Sequence, residues 1–313
     1  MQFRPGAVTP GSGTGLESSA SRRRLAALRS PWRHAWILEG VTWVYLAWSI
    51  LPIGLAVLFS FNRGKSQSTW QGFSLRWYTS DPLNSVLHDP QLHAAVVQTL
   101  RLSLLTTVIT VPLGVGFAIG IDRWRGRAAS AFNFLMIFSF VIPELIFGVA
   151  LFFVFTALLT SVHLGTAAEV LGLVTWNLSW PAIIVRARLV SIGHQYEEAA
   201  ADLGASRLEA VRRVLLPMLM PAVFASAVLV FAGVVDDFVI VDLLSSTANT
   251  QPMSVIIYSN THGGNGGPAL NALATLMLVA SFAVAALGYA GYRWMTRGER
   301  SGRQHALASI TGM

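Results

Sequence analysis

Three carboxylates are read inside stretches that are otherwise oily: Glu144, and the adjacent pair Asp236 and Asp237. A charged side chain at the centre of a bilayer costs about 2.5–3.5 kcal/mol on insertion scales, so such residues are functional hypotheses by default. Acids near one mouth of a pathway favour a cation arriving there. The structural alternative is an ion pair, because Arg101 falls in the outer part of a neighbouring apolar run. That alternative is stronger for Glu144 than for the two adjacent Asp residues, which one Arg cannot fully neutralise.

Other chemistry is poorly represented. The chain has no Cys, which removes disulfides, thiolate metal sites and a lipidated Cys anchor. The seven His residues show no HExxH spacing, and His88 and His93 are five apart, so no metal site is expected. Gly64-Lys65-Ser66 mimics the end of a phosphate-binding loop. That pattern requires a Gly five residues before Gly64, where the chain has Phe59. No Ser/His/Asp arrangement occurs at readable spacing. The chain is expected to be a non-enzyme with no cofactor of its own.

The elements that position the acids follow from composition. Of 313 residues, 53% are hydrophobic and 12% are charged, about half the charge of an average soluble domain. Runs of about 20 apolar residues cross a bilayer as helices. Six are read, at roughly 40–61, 94–121, 131–159, 168–190, 217–243 and 269–294. The fold class is therefore all-α, a polytopic membrane protein with six transmembrane helices. Arg22, Arg23 and Arg24 before an apolar run imitate a signal peptide. The run from Trp36 to Phe61 is longer than the usual 7–15 residues of such a peptide, so it is read as a retained span.

Positive charge sets the orientation. Eighteen Lys and Arg residues flank the spans on one side, against Arg63, Lys65 and Arg76 on the other. Both termini and the 191–216 loop are thus expected in the cytoplasm. The net charge of +7 reflects this topology and not nucleic-acid binding. Residues 1–35 read as a disordered cytoplasmic tail, 36–295 as the membrane domain, and 296–313 as a second cytoplasmic tail. In the external loop from Asn62 to His93, Trp70, Phe73, Trp77 and Tyr78 suit either a membrane interface belt or a protein contact. Gly116 and Gly120 permit close helix packing. Pro143, Pro181 and Pro221 lie inside the third, fourth and fifth spans, as kinks or as breaks of the kind transporters use.

One loop stands out as too polar for lipid. Gln195 to Leu203 is a run of good helix formers, and Gly204 follows where a helix end favours positive φ. Ser206 precedes Glu209 by three residues, the spacing of a capping box. Two short helices with a Gly hinge are predicted, the second ending near Leu216 and Pro217. Ala199, Ala200 and Ala201 leave one face with almost no bulk, on which another protein can approach closely.

The spacing from Glu198 resembles the EAA loop of ABC importer permeases: Glu-Ala-Ala, three residues, Gly, nine residues, Ile, one residue, Leu-Pro. Here Glu198-Ala199-Ala200, Gly204 and Leu216-Pro217 match, and Val214 replaces Ile. The resemblance implies the type I importer permease fold. It also implies that Glu198, Ala199, Ala200, Gly204, Leu216 and Pro217 dock on a cytoplasmic ATPase, which binds ATP and Mg in place of this chain. The implied partners are a homologous second permease, two ATPase subunits and an extracytoplasmic solute-binding protein, within the lipid of a prokaryotic cell membrane.

A narrower likeness covers nearly all of residues 40 to 295. Asp236-Asp237-Phe238-Val239-Ile240, Gln251-Pro252, Ile257-Tyr258-Ser259, Asn271-Ala272-Leu273-Ala274-Thr275, Ile142-Pro143-Glu144 and the segment from Trp70 to Tyr78 are similar to spermidine/putrescine permeases of the "C" type. The segment before Gln251 departs from that subfamily, which usually has a Gly-rich stretch and Thr-Leu-Pro there. The implied solute is a polyamine, with Glu144, Asp236 and Asp237 on its path. Permeases for ferric iron, thiamine or phosphonates are the related alternatives. A self-sufficient channel or secondary carrier is the alternative of a different class.

Overall fold

The computed structural model describes residues 35–66, 68–81, 84–123, 127–263 and 267–311. Apart from Ala35, the predicted N-terminal tail lies outside these residues. The chain divides into two units, residues 1–55 and 56–313. Among the described residues extended pairing is limited to a single bridge between Asn62 and Phe73, and nearly everything else is helical.

The first helix, α1, runs Ala35–Ser60. In the first unit every side chain from Leu38 to Leu55 is exposed, including Trp43, Val44 and Trp48. A helix that is apolar all round belongs in lipid or against another protein.

The second unit continues with α2 Pro90–Arg123, α3 Arg127–Val141, α4 Glu144–Phe153, α5 Thr166–Asn177 and α6 Ser179–Ile192. Then come α7 Gln195–Asp202, α8 Arg207–Ala210, α9 Leu216–Asp236, α10 Val239–Leu244, α11 Met253–His262 and α12 Pro268–Thr311. Five stretches are long and apolar enough to cross a membrane: Leu38–Ser60, Pro90–Arg123, Thr166–Ile192, Arg207–Asp236 and Pro268–Arg293. A sixth is a broken pair, Ser130–Val141 and Glu144–Leu158, bent by 107°. The six apolar runs of the sequence are all found, with three changes of boundary.

The first change is at Pro143, which is a break and not a kink. Pro supplies no amide donor and pushes the preceding residue out of helical conformation. Pro143 itself is extended, with ψ 131°, and α4 starts at Glu144. Pro181, by contrast, is the third residue of α6, where a helix needs no internal donor, and Pro221 is carried inside α9.

The second change concerns the fifth run, predicted to reach residue 243. Its helix stops at Asp236, because Asp237 turns extended at ψ 128°. The Asp237 carboxylate then accepts the Ile240 backbone N–H at 3.2 Å and opens α10.

The third change is the absence of a stop near Pro217. Residues 211–215 form a single wide turn in which the Leu216 N–H bonds to the Val211 carbonyl, five residues back. The chain passes through that turn into α9, where Pro217 occupies an early position that needs no donor. Similarly, α12 continues through most of the predicted C-terminal tail.

The main core lies where α2, α5, α6 and α9 meet, filled by Leu102, Leu173, Val185, Leu189, Leu219 and Val230. The closest helix approach on α2 is at Gly114, where an added Cβ would come within 2.4 Å of the Pro181 ring. Gly116 and Gly120 have nothing within 4 Å of that position, so the predicted packing pair meets no neighbour among the described residues. A second cluster joins Trp77 to Leu92, Met253, Ile256, Leu270 and Leu273. Trp77 is buried, and its indole N–H donates to the Asn62 carbonyl at 2.6 Å. The Asn62 side chain in turn ties the loop, donating to the Ser66 and Thr69 carbonyls and accepting from the Gln71 N–H. Gly64-Lys65-Ser66 belongs to this knot.

Candidate functional site

Two places carry the predicted residues. The first is the polar loop. At the end of α7 the Gly204 N–H bonds to the Ala201 carbonyl at 2.9 Å, and the Ala205 N–H bonds to the Ala200 carbonyl at 3.0 Å. This pair of bonds is a Schellman closure, and it requires the positive φ of +84° found at Gly204. Immediately after it, the Glu209 N–H donates to Ser206 Oγ at 3.3 Å and the Ser206 N–H donates to Glu209 Oε2 at 3.0 Å. Both helix ends at the hinge are satisfied by the hinge itself.

The loop has an outer and an inner face. Glu198, Ala199, Gly204, Leu216 and Pro217 are exposed, and Leu203 and Leu208 project furthest, at 90% and 77% exposure. Ala200 differs from the rest of the predicted set, being buried at 9% exposure. It lies on the helix, α7, that packs on the turn before α9. Glu197, beside the predicted Glu198, was missed. It receives two bonds from Arg123 at the end of α2, Nη2 to Oε1 at 2.5 Å and Nε to Oε2 at 3.0 Å. Arg123 also pairs with Asp122. The partners lie 74 residues apart in sequence, and no local pattern announces them.

The second place is a cavity of about 1010 Å³ to which Glu144, Asp236 and Asp237 all contribute. The breaks in the third and fifth spans bring them there. Glu144 is the first residue of α4, Asp236 the last of α9, and Asp237 accepts the Ile240 N–H in the first turn of α10. The Glu144 and Asp237 carboxyl groups adjoin. Ser254 Oγ fixes the turn by donating to the Asp237 carbonyl at 2.6 Å. Arg101 is exposed and makes no ion pair with Glu144 among the described residues.

The lining also includes Trp176, Trp180, Phe238, Tyr289 and Tyr292, and it contains no Lys, Arg or His among the described residues. Arg293 lies over the Tyr289 ring, 5.8 Å from its centroid, but is not part of the lining. Adjoining carboxylates repel unless a positive charge or a shared proton lies between them. Aromatic faces attract cations as well.

A further acid, more deeply buried than these three, was missed. Glu169 on α5 is fully buried and accepts from Gln98 Nε2 of α2 at 2.7 Å, while the same amide also donates to Thr166 at 2.9 Å. Glu169 sits at the edge of an apolar run, where hydropathy alone does not mark it as buried.

Residues 110–301 match the family described as binding-protein-dependent transport system inner membrane component. The chain belongs to that family. It is similar to the putrescine transport system permease protein PotI of Escherichia coli, with 33% identity over 88% of this chain and 95% of the relative. It is also similar to the spermidine/putrescine transport system permease protein PotC of Haemophilus influenzae, with 30% identity over 78% of this chain and 91% of the relative. Among solved structures, a bacterial ABC transporter importing alginate aligns with a TM-score of 0.68 at 17% identity, over 90% of this chain and 99% of the other. The MetNI methionine ABC transporter aligns with a TM-score of 0.54 at 19% identity, over 66% and 94%. These two likenesses establish the fold.

This chain is thus a multi-pass membrane permease subunit of an importer, a transport component and not an enzyme. The loop and the acids of the cavity sit at opposite ends of α9, although the cavity lining extends back along that helix to Ala225. That helix has 21 residues, and at ~1.5 Å per residue it separates the two by about 30 Å.

Proposed function

We propose that this permease passes polyamines of the putrescine and spermidine class across the cell membrane. The observation that carries the reading is the cavity itself: three carboxylates and five aromatic rings, with no basic side chain in its described lining. A flexible polycation matches both features. The names of the relatives, a putrescine and a spermidine/putrescine permease, point the same way.

In the mechanism, a loaded extracytoplasmic binding protein docks at the end of the molecule that bears the cavity. A homologous permease completes the pathway, and two ATPase subunits bind ATP and Mg on the cytoplasmic side, where both termini of this chain lie. The exposed face of the 195–217 loop, with Glu198, Ala199, Gly204, Leu216 and Pro217 flanked by Leu203 and Leu208, seats on the ATPase. A ligand shifts a conformational equilibrium only through unequal affinity for the two states. ATP binding must therefore favour the form in which the cavity opens outward.

The test is uptake of labelled putrescine and spermidine by the assembled complex in proteoliposomes with its binding protein and ATP. Asp237→Asn is expected to lower uptake at least about tenfold, the scale of losing a charge-assisted bond, at unchanged permease content. A complex that hydrolyses ATP in response to its binding protein yet moves no polyamine overturns the reading.

A further inference from the structure

Past Asp236 and Phe238 lies a second cavity, of about 520 Å³. Those two residues line both cavities and so form the partition between them. The far side is built by α11, which supplies Ser254, Tyr258, Thr261 and His262. Three rings run in sequence along it: Phe238 and Tyr258 with centroids 4.2 Å apart, then Tyr258 and His262 at 4.0 Å.

The polar atoms here have a consistent sense. His262 Nδ1 lies 3.0 Å from the Tyr258 carbonyl. A carbonyl only accepts, so Nδ1 carries the proton, and in the neutral ring Nε2 is then a lone-pair acceptor. The Thr261 and Ser254 hydroxyls use their protons on the Ile257 and Asp237 carbonyls, at 2.7 and 2.6 Å. Their oxygens are left to accept. Asp236 adds a carboxylate, and the described lining holds no Lys or Arg. A group that brings several N–H donors and a positive charge satisfies this set; an anion does not.

We propose that the smaller cavity is a second station for a primary ammonium group. This inference rests on the polyamine reading. A diamine would hold one ammonium here, against Asp236, Tyr258 and His262, while the other lies by Glu144 and Asp237. Asp236 faces both stations, so one charge can move across the partition while the other stays compensated, and neither is left bare in a medium of low dielectric.

The experiment uses the complete complex in proteoliposomes, with binding protein saturated by labelled putrescine, and reads uptake and ATP hydrolysis together. Tyr258→Leu and His262→Lys are expected to cut uptake at least about tenfold while the binding protein still stimulates hydrolysis. Tyr258→Phe, which keeps the ring face, and His262→Gln, which keeps an acceptor, are expected to lose less uptake than Tyr258→Leu and His262→Lys. Parental uptake by both Tyr258→Leu and His262→Lys, alongside loss in Asp237→Asn, overturns the second station and leaves the polyamine reading standing. Equal loss of uptake and of stimulated hydrolysis in all four variants also overturns it, since that marks a structural role. No putrescine uptake by the unmodified complex is the separate failure of the polyamine reading.

Discussion

Gly204 shows how much one backbone angle can control. Its φ of +84° disfavours any residue with a side chain, yet nothing lies within 4 Å of where a Cβ would be. Gly204→Ala therefore adds strain of about 1–2 kcal/mol without a clash. The expected result is a complex that assembles at normal levels but couples poorly. The ratio of solute moved to ATP hydrolysed should fall several-fold when measured in proteoliposomes, and an unchanged ratio would remove the hinge from the mechanism. Gly204, Ser206 and Glu209 could be recognised from sequence because their chemistry closes within a few neighbouring residues. Asp236 and Asp237 could be recognised because acids are conspicuous among apolar residues. Trp176, Trp180, Tyr289 and Tyr292 could not. An aromatic in an apolar helix looks the same whether it lines a cavity or meets lipid, and only the tertiary fold brings these four together.

At the level of elements, hydropathy located the helices but not their breaks. Val239–Leu244 is as oily as the end of α9, so the turn at Asp237 leaves no trace in the apolar pattern. Pro143 was visible, but a proline in a membrane helix kinks or breaks according to what its neighbours can re-satisfy. The joint between α7 and α2 was invisible for a different reason: Arg123 and Glu197 meet only in the folded chain. Both side chains are about four-fifths buried, at 21% and 19% exposure, so the pair exceeds the usual worth of an exposed ion pair. Arg123→Glu alone should uncouple hydrolysis from uptake, because it leaves two acids facing each other. The exchange Arg123→Glu with Glu197→Arg should restore most of the coupling. Failure of the exchange to improve on the single change would mean that Arg123 serves another purpose.

The 1010 Å³ cavity is built by one chain, but a pathway needs walls on every side. Purified alone into liposomes, this chain is expected to show neither ATP hydrolysis nor uptake driven by a diamine gradient. Uptake by the isolated chain would favour a self-sufficient carrier and overturn the subunit assignment in the proposed mechanism. The six apolar runs and the polar loop at Glu198 made this dependence readable from sequence. The fit of the cavity to a cation was not, because it depends on two breaks brought together from residues 143 and 237.

The doubly capped hinge has a thermodynamic consequence. Because the Gly204 and Ser206 turns satisfy their own backbone groups, the proposed docking surface has its shape before any partner arrives. A floppy segment would lose about 1–2 kcal/mol of backbone entropy per residue on being ordered, and each engagement would bear that penalty anew. A preformed hinge is spared it. In the proposed mechanism its contact with the ATPase can then be weak enough to break and re-form in every transport cycle, and still stiff enough to push.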